Sequence, residues 1–399
     1  MDPDGTEPQG TELHGTEPGR TGPGGAAADA LRGLDDLDGI ERAGVAALPH
    51  DVADFVAGGS GRERTLAANR EAFDRLFVTP RVLRDVSRCT TDATLLGRPT
   101  RLPVALAPVA YQRLLHPEGE LAAARAARAA GVPFTVATLS SVPVEEITAV
   151  GGTVWFQLYW LRGARRSLDL VRRAEDAGCA ALMLTVDVPW MGRRLRDVRN
   201  GFALPAHVRA AHLDSGAPST AHRSRAHRST AAAPATASAV AAHTAEAFSP
   251  ALTWSCVEAV RSVTRLPLAL KGVLAPQDAV RAAGLGVDAV VVSNHGGRQL
   301  DGALPSVDAL PAVAAAVGGA CEVLMDGGVR GGTDVLKALA LGASGVLVGR
   351  PPLWGLAVAG EAGVRRVLDL LAAELRDALG LAGCDGVAGA RELRVTRVP

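Results

Sequence analysis

Several signals are missing from this sequence, and each absence removes a class of function. No apolar run reaches the roughly 20 residues that a membrane-spanning helix needs. The N-terminus has no basic start followed by an apolar stretch, so no leader is expected. Neither sign of charge is in excess, since 42 Lys and Arg balance 42 Asp and Glu. A net charge of zero gives no bulk attraction to nucleic acid and no self-repelling, solvating character. Cysteine is sparse: Cys89, Cys179, Cys256, Cys321 and Cys384 stand apart, with no CxxC pair. That odd, dispersed set argues against a disulfide framework and a zinc site, and favours a reducing compartment. The expectation is a cytoplasmic protein with no metal, no membrane partner and no nucleic-acid partner.

What is present points to one large α/β domain. The chain has 399 residues and is 48% apolar, enough for a single decorated barrel. Residues 1–28 are rich in Gly, Pro, Thr and Glu, with the near-repeats GTEPQG, GTELHG and GTEPGR. Such a segment buries too little apolar surface to offset its ordering entropy, so a disordered tail is expected there. A helical pattern begins near Leu31 and runs through Leu48-Pro49-His50 to Val56, where Gly58-Gly59 ends it.

From Leu102 onward one unit recurs: a short apolar run, a polar or glycine-containing loop, then an Ala/Leu-rich amphipathic stretch. The runs are Pro103–Ala107, Pro133–Ala137, Val154–Tyr159, Ala180–Val186, Leu266–Leu270, Ala289–Val292, Glu322–Met325 and Gly345–Val348. Helices are expected at Glu118–Ala130, Ser167–Ala177, Pro276–Ala283 and Thr333–Leu341, among others. Repeated βα units predict a parallel (β/α)8 TIM barrel over residues 29–399, with an N-terminal helical extension. An open doubly wound sheet is the alternative. One segment breaks the rhythm: 202–249, after the fourth strand, is long, polar and Ala-rich, and reads as a mobile lid. Its histidines, His212, His222, His227 and His243, lack ligand spacing and read as parts of a solvated basic loop.

Barrel strands deliver their C-terminal residues to one shared face. Strand one ends in Pro108-Val109-Ala110, strand three carries Gln157 and Tyr159, and strand four ends in Thr185-Val186-Asp187, leading to Arg194. Strand five ends at Lys271, and strand six runs into Ser293-Asn294-His295-Gly296-Gly297-Arg298. A cationic Arg beside a titratable imidazole suits a site that holds a carboxylate and removes a proton next to it. Taken alone, that pair reads equally as a solvated loop. Charged residues at so many strand ends do not, because burying charge without partners is costly. The last two units, Asp326-Gly327-Gly328-Val329-Arg330 and Gly349-Arg350, have the glycines and arginines of a barrel phosphate site, ordinary glycine-rich turns being the other reading. Lys271 in the barrel mouth would favour negative charge on a bound ring, the help a flavin needs when it accepts a hydride.

The motifs SNHGGRQLDG and DGGVRGGTDVLKALALGA resemble signatures of the FMN-dependent α-hydroxy-acid oxidase and dehydrogenase family, and the likeness runs from about Leu34 to Gly383. The resemblance implies FMN, a TIM barrel, a homo-oligomer (a tetramer in that family) and a small 2-hydroxy acid as substrate. It makes His295 the catalytic base, Asp187 its carboxylate partner, Arg298 and Arg194 the substrate-carboxylate anchors, and Tyr159 the contact to the substrate oxygen. FMN would touch Pro108, Val109, Ala110, Ala137, Gln157, Thr185, Lys271, Ser293, Asp326, Gly327, Gly328, Val329, Arg330, Gly349 and Arg350.

Two departures from glycolate oxidase bear on the substrate. Phe55 stands where that enzyme has a Tyr touching the substrate carboxylate, and Ala137 where it has a flavin-contacting Ser. An apolar ring at Phe55 suits an aromatic substrate, and Leu139 is expected to line the same side of the pocket. The stretches DFVAGGSG, PVAYQRLLHPEGE, WFQLYWLR and TVDVPWMGRRLRDVRNGFALP resemble the branch of the family that oxidises 4-hydroxymandelate. The activity implied is oxidation of an aromatic (S)-2-hydroxy acid to its keto acid, with O2 reduced to hydrogen peroxide. Oxidation of lactate or glycolate, electron transfer to a quinone, and a catalytically silent flavin-binding barrel are the competing readings.

Overall fold

Strands made mainly of Val, Leu, Ala and Phe have no polar face and are stable when both faces are covered. The chain meets that demand by closing its sheet. The computed structural model describes residues 23–213, 220–222 and 238–399. It opens with four helices, α1 (Pro23–Ala30), α2 (Leu37–Ala47), α3 (His50–Ala57) and α4 (Arg64–Asp74). Strand β1 (Leu76–Thr79) and the hairpin β2 (Ala93–Leu95) and β3 (Arg98–Thr100) follow. The barrel strands are β4 (Val104–Leu106), β5 (Phe134–Val136), β6 (Val154–Leu158), β7 (Ala181–Thr185), β8 (Leu268–Val273), β9 (Ala289–Val292), β10 (Glu322–Asp326) and β11 (Gly345–Val348). They form a closed parallel barrel in chain order, with β11 returning to pair with β4. The open-sheet alternative is thereby excluded.

Helices α5 (Glu120–Ala130), α6 (Val144–Ala149), α7 (Ala164–Asp176), α8 (Leu195–Asn200), α9 (Ala239–Ala247), α10 (Trp254–Val263), α11 (Pro276–Gly284), α12 (Ser306–Val317), α13 (Gly332–Ala340) and α14 (Arg350–Leu381) complete the units. Strand β12 (Arg394–Arg397) pairs antiparallel with β1 and ties the C-terminus to the start of the domain. No helix among the described residues is long and apolar enough to cross a membrane.

The two-residue period of a strand decides what reaches the site. Ala105, Trp155, Met183, Ala269, Val291, Leu324 and Leu347 pack together as the barrel interior, with Leu95 and Leu96 of the hairpin against them. Two residues further along their strands, the same inward face carries Gln157, Thr185, Lys271, Ser293 and Asp326. The apolar interior therefore ends in a polar layer at the C-terminal mouth.

Several expectations are met differently by the structure. The helical pattern of residues 31–56 is two helices: Leu48 is extended (φ −101°, ψ 152°) because the following Pro49 disfavours helical geometry before it. The last part of the tail expected over residues 1–28 is helical, since Pro23 opens α1, which packs on α14; residues 1–22 lie outside the described residues. The 202–249 segment holds α9, whose N-cap Ser238 accepts a hydrogen bond from the Ala241 amide. Residues 214–219 and 223–237, with His227, lie outside the described residues.

His212 is no member of a solvated loop. Its Nδ1–H donates to the Thr138 carbonyl at 3.1 Å, and its Nε2 accepts from the Val144 amide at 3.0 Å. Burial lowers its pKa to about 4. The unfolded chain therefore binds a proton near pH 6.5 that the folded chain refuses until about pH 4, so stability falls as pH drops through that window. The full effect is about 3 kcal/mol. Denaturant midpoints between pH 7.5 and 4.5 should fall in the wild type and fall less steeply in His212→Asn.

Candidate active site

After β9 the chain turns sharply into its functional loop. His295 has φ +60°, an uncommon conformation for a residue with a side chain, and is followed by Gly296 and Gly297. A Cβ on Gly297 would lie 2.6 Å from the Leu66 backbone, so glycine is required there. Asn294 fixes the turn: its side chain accepts from the Gly297 amide at 3.1 Å and exchanges two hydrogen bonds with the Asn69 side chain at 2.7 and 3.0 Å. The Ser293 hydroxyl accepts from the His295 amide at 3.0 Å and from Lys271 Nζ at 2.9 Å.

The imidazole is held from one side and open on the other. Asp187 Oδ1 lies 3.1 Å from His295 Nδ1, and a carboxylate can only accept, so Nδ1 carries the proton. Nε2 keeps its lone pair and faces the Tyr159 hydroxyl at 3.5 Å. Burial lowers the His295 pKa, with Lys271 adding to it and Asp187 only partly offsetting. Burial pushes Asp187 upward, yet His295 and Lys271 outweigh it and hold that carboxyl below its ordinary value. The pair at rest is a neutral base beside a carboxylate. Gly272 makes the contact possible, since a Cβ there would meet Asp187 Cγ at 2.5 Å.

Arginines cluster near this pair, and two of them are held by main-chain carbonyls. Arg298 Nη1 donates to the Gly58 carbonyl at 2.6 Å, and burial, Arg194 and Arg350 together lower its pKa well below the usual value. Arg350 donates to the carbonyls of Val56, Gly296 and Gly58 at 3.0–3.1 Å, and burial lowers it to about 9. Arg194 is half-buried, and its Nε is buried without a partner. The guanidinium carbons of Arg194 and Arg298 lie 5.8 and 5.5 Å from the centroid of the Phe55 ring. Guanidiniums whose pKa is lowered by desolvation, and for Arg298 and Arg350 also by neighbouring arginines, form a site that an anion would stabilise. Arg330 is engaged by Glu41 at 3.3 Å.

One cavity gathers most of the expected residues. Phe55, Pro108, Val109, Ala110, Leu139, Tyr159, Arg194, Lys271, His295 and Arg298 line it, as do Asp326, Gly327, Gly328, Val329, Arg330, Gly349 and Arg350. Ala137, Gln157, Thr185, Ser293 and Asp187 stand behind that lining. Gln157 accepts from the Thr138 amide and donates to Thr185 Oγ1 at 3.0 Å, a bond inside the barrel wall. Sequence reasoning missed Tyr111, Met191, Val240, Thr244 and Phe248, which also line the cavity. Phe248 stacks on Tyr159 with centroids 4.4 Å apart. The signal for the last three was Ser238 as a cap before an Ala-rich helix.

The residues fit an FMN. Lys271 is kept cationic because Asp326 and Asp187 outweigh the effect of its burial, and its Nζ lies 2.8 Å from Asp326 Oδ2. Asp326 Oδ1 is buried without a partner on the cavity wall, an acceptor that a ligand hydroxyl would satisfy.

Comparison with known proteins agrees with this geometry. A 4-hydroxymandelate oxidase from Amycolatopsis orientalis is 62% identical over 354 residues, 89% of this chain and 96% of that protein. An L-lactate oxidase from a Nostoc species is 48% identical over 83% of this chain and 89% of that protein. The crystal structure of mandelate oxidase with (S)-4-hydroxymandelic acid matches with a TM-score of 0.86 and 61% identity, covering 91% of this chain and 99% of the other. The FMN-dependent dehydrogenase family model matches residues 45–397, and the chain belongs to that family.

Proposed function

We propose that this protein oxidises an aromatic (S)-2-hydroxy acid, 4-hydroxymandelate, to the corresponding 2-keto acid, with O2 reduced to hydrogen peroxide. The observation that carries the reading is His295, backed by Asp187 at 3.1 Å, opening onto a cavity with two half-buried arginines beside the apolar ring of Phe55. Bound FMN supplies the two-electron acceptor and the route to O2. Lys271 and Asp326 would hold it, together with the loops at Gly327-Gly328 and Gly349.

Arg298 and Arg194 engage the substrate carboxylate through charge-assisted hydrogen bonds. Tyr159 contacts the α-hydroxyl group. His295 Nε2 takes the proton released as the carbinol becomes a ketone, and Asp187 stabilises the imidazolium through Nδ1. The described part of 202–249 covers the site, with Val240 and Thr244 of α9 in its wall. A cytoplasmic homo-oligomer is the assembly that the family resemblance and the free thiols imply; sedimentation would measure its size.

Lactate or glycolate is the second reading, and the L-lactate oxidase relative favours it. The apolar wall decides against it. Burying an aromatic ring against Phe55, Leu139 and Phe248 contributes a few kcal/mol, at about 25 cal/mol per Å². Mandelate and 4-hydroxymandelate should therefore exceed glycolate and lactate in kcat/KM. Phe55→Tyr should move the ratio toward the small acids by restoring a hydroxyl near the carboxylate. Equal efficiency on lactate and mandelate in the wild type would refute the aromatic assignment.

A further inference from the structure

Three residues that line the cavity each carry a buried polar atom with no hydrogen-bond partner among the described residues: Arg194 at Nε, Asp326 at Oδ1 and Tyr111 at its hydroxyl. The first suits a carboxylate and the second a cofactor hydroxyl. Nothing in the reaction described so far uses the third. Tyr111 is one of only two tyrosines in the chain, the other being Tyr159. Its side chain is fully buried, and burial raises its pKa far above the ordinary phenol value, so it is a permanent hydrogen-bond donor that can also accept. Its backbone sits at φ +58°, and its N–H donates a hydrogen bond to the Leu139 carbonyl at 3.1 Å.

The other neutral polar side chains of the wall are occupied. The Thr244 hydroxyl donates to the Ala241 carbonyl at 2.9 Å. Gln299 donates to the carbonyls of Asp187 and Trp190 and accepts from the Gly192 amide. On the substrate side, the carboxylate is assigned to the arginines and the α-hydroxyl to Tyr159 and His295. The one polar group left on 4-hydroxymandelate is its phenol.

We propose that Tyr111 is a specificity-determining residue whose hydroxyl bonds the para-hydroxyl of the substrate ring. This rests on the aromatic 2-hydroxy-acid reading above. Mandelate would leave the Tyr111 hydroxyl buried and unpaired, which is the source of discrimination.

The test compares (S)-4-hydroxymandelate with (S)-mandelate in the FMN-loaded wild type and in Tyr111→Phe. The kcat/KM preference for the hydroxylated substrate should fall about three- to tenfold in the variant, with mandelate unchanged or improved. An unchanged preference, or an equal loss on both substrates, overturns the proposal. Should the variant fail to fold, wild-type enzyme titrated with 4-hydroxyphenylacetate and phenylacetate, followed by flavin absorbance, decides the matter. Tighter binding of the hydroxylated analogue supports the proposal, and equal binding overturns it. A wild type that oxidises neither substrate refutes the parent reading, and this one with it.

Discussion

His295→Ala should keep FMN and lose nearly all reduction by substrate, about 10²–10⁴-fold, the usual worth of a general base. The imidazole faces the cavity through Nε2, whereas Lys271 and Asp326, fitted to the cofactor, lie on β8 and β10. Stopped-flow reduction and the flavin spectrum of the purified variant measure the two quantities separately. Loss of the flavin, or a drop of only a few-fold, contradicts the role. The wild type carries a linked expectation. Its base must be neutral to work, and burial lowers the His295 pKa, so reduction should slow only as pH falls below the ordinary imidazole range.

Lys271→Met should have the second large effect. Asp326 Oδ2 loses its cation at 2.8 Å and becomes a buried carboxylate with no counter-charge. Breaking such a pair from one side costs about 3–5 kcal/mol. The variant should bind FMN more weakly, and the flavin it keeps should have a lower reduction potential, since added electrons lose their positive neighbour. Equilibrium dialysis and a dye-coupled redox titration read the two outcomes. An unchanged potential shows that Lys271 does not face the ring.

The barrel and the polar layer at its mouth are legible in the sequence because both follow from short-range rules. Apolar runs of a few residues mark the strands, and their period of two places Lys271, Ser293 and Asp326 on one inward face. The loop 293–298 is legible for the same reason, as it continues directly from β9. The parts that are not legible depend on contacts distant in sequence. Phe248 reaches Tyr159 only because the end of the 202–249 segment is stitched beside β6, where Leu161 and Phe248 form an isolated bridge. Tyr111 follows three residues assigned to the site, yet nothing local shows that its ring turns into the wall. His212 reads as part of a polar loop because its partners, Thr138 and Val144, lie more than sixty residues away. The break at Leu48 is available from Pro49 alone, and the helical periodicity on either side obscures it.

The central claim is that this chain oxidises an aromatic 2-hydroxy acid through a bound flavin that oxygen then restores. Mixing the purified, FMN-loaded protein with (S)-4-hydroxymandelate without oxygen, and following absorbance near the flavin band, tests it most directly. The account predicts rapid bleaching, recovery of the oxidised spectrum when air is admitted, and one hydrogen peroxide per keto acid formed. A flavin that stays oxidised in the presence of this substrate contradicts it.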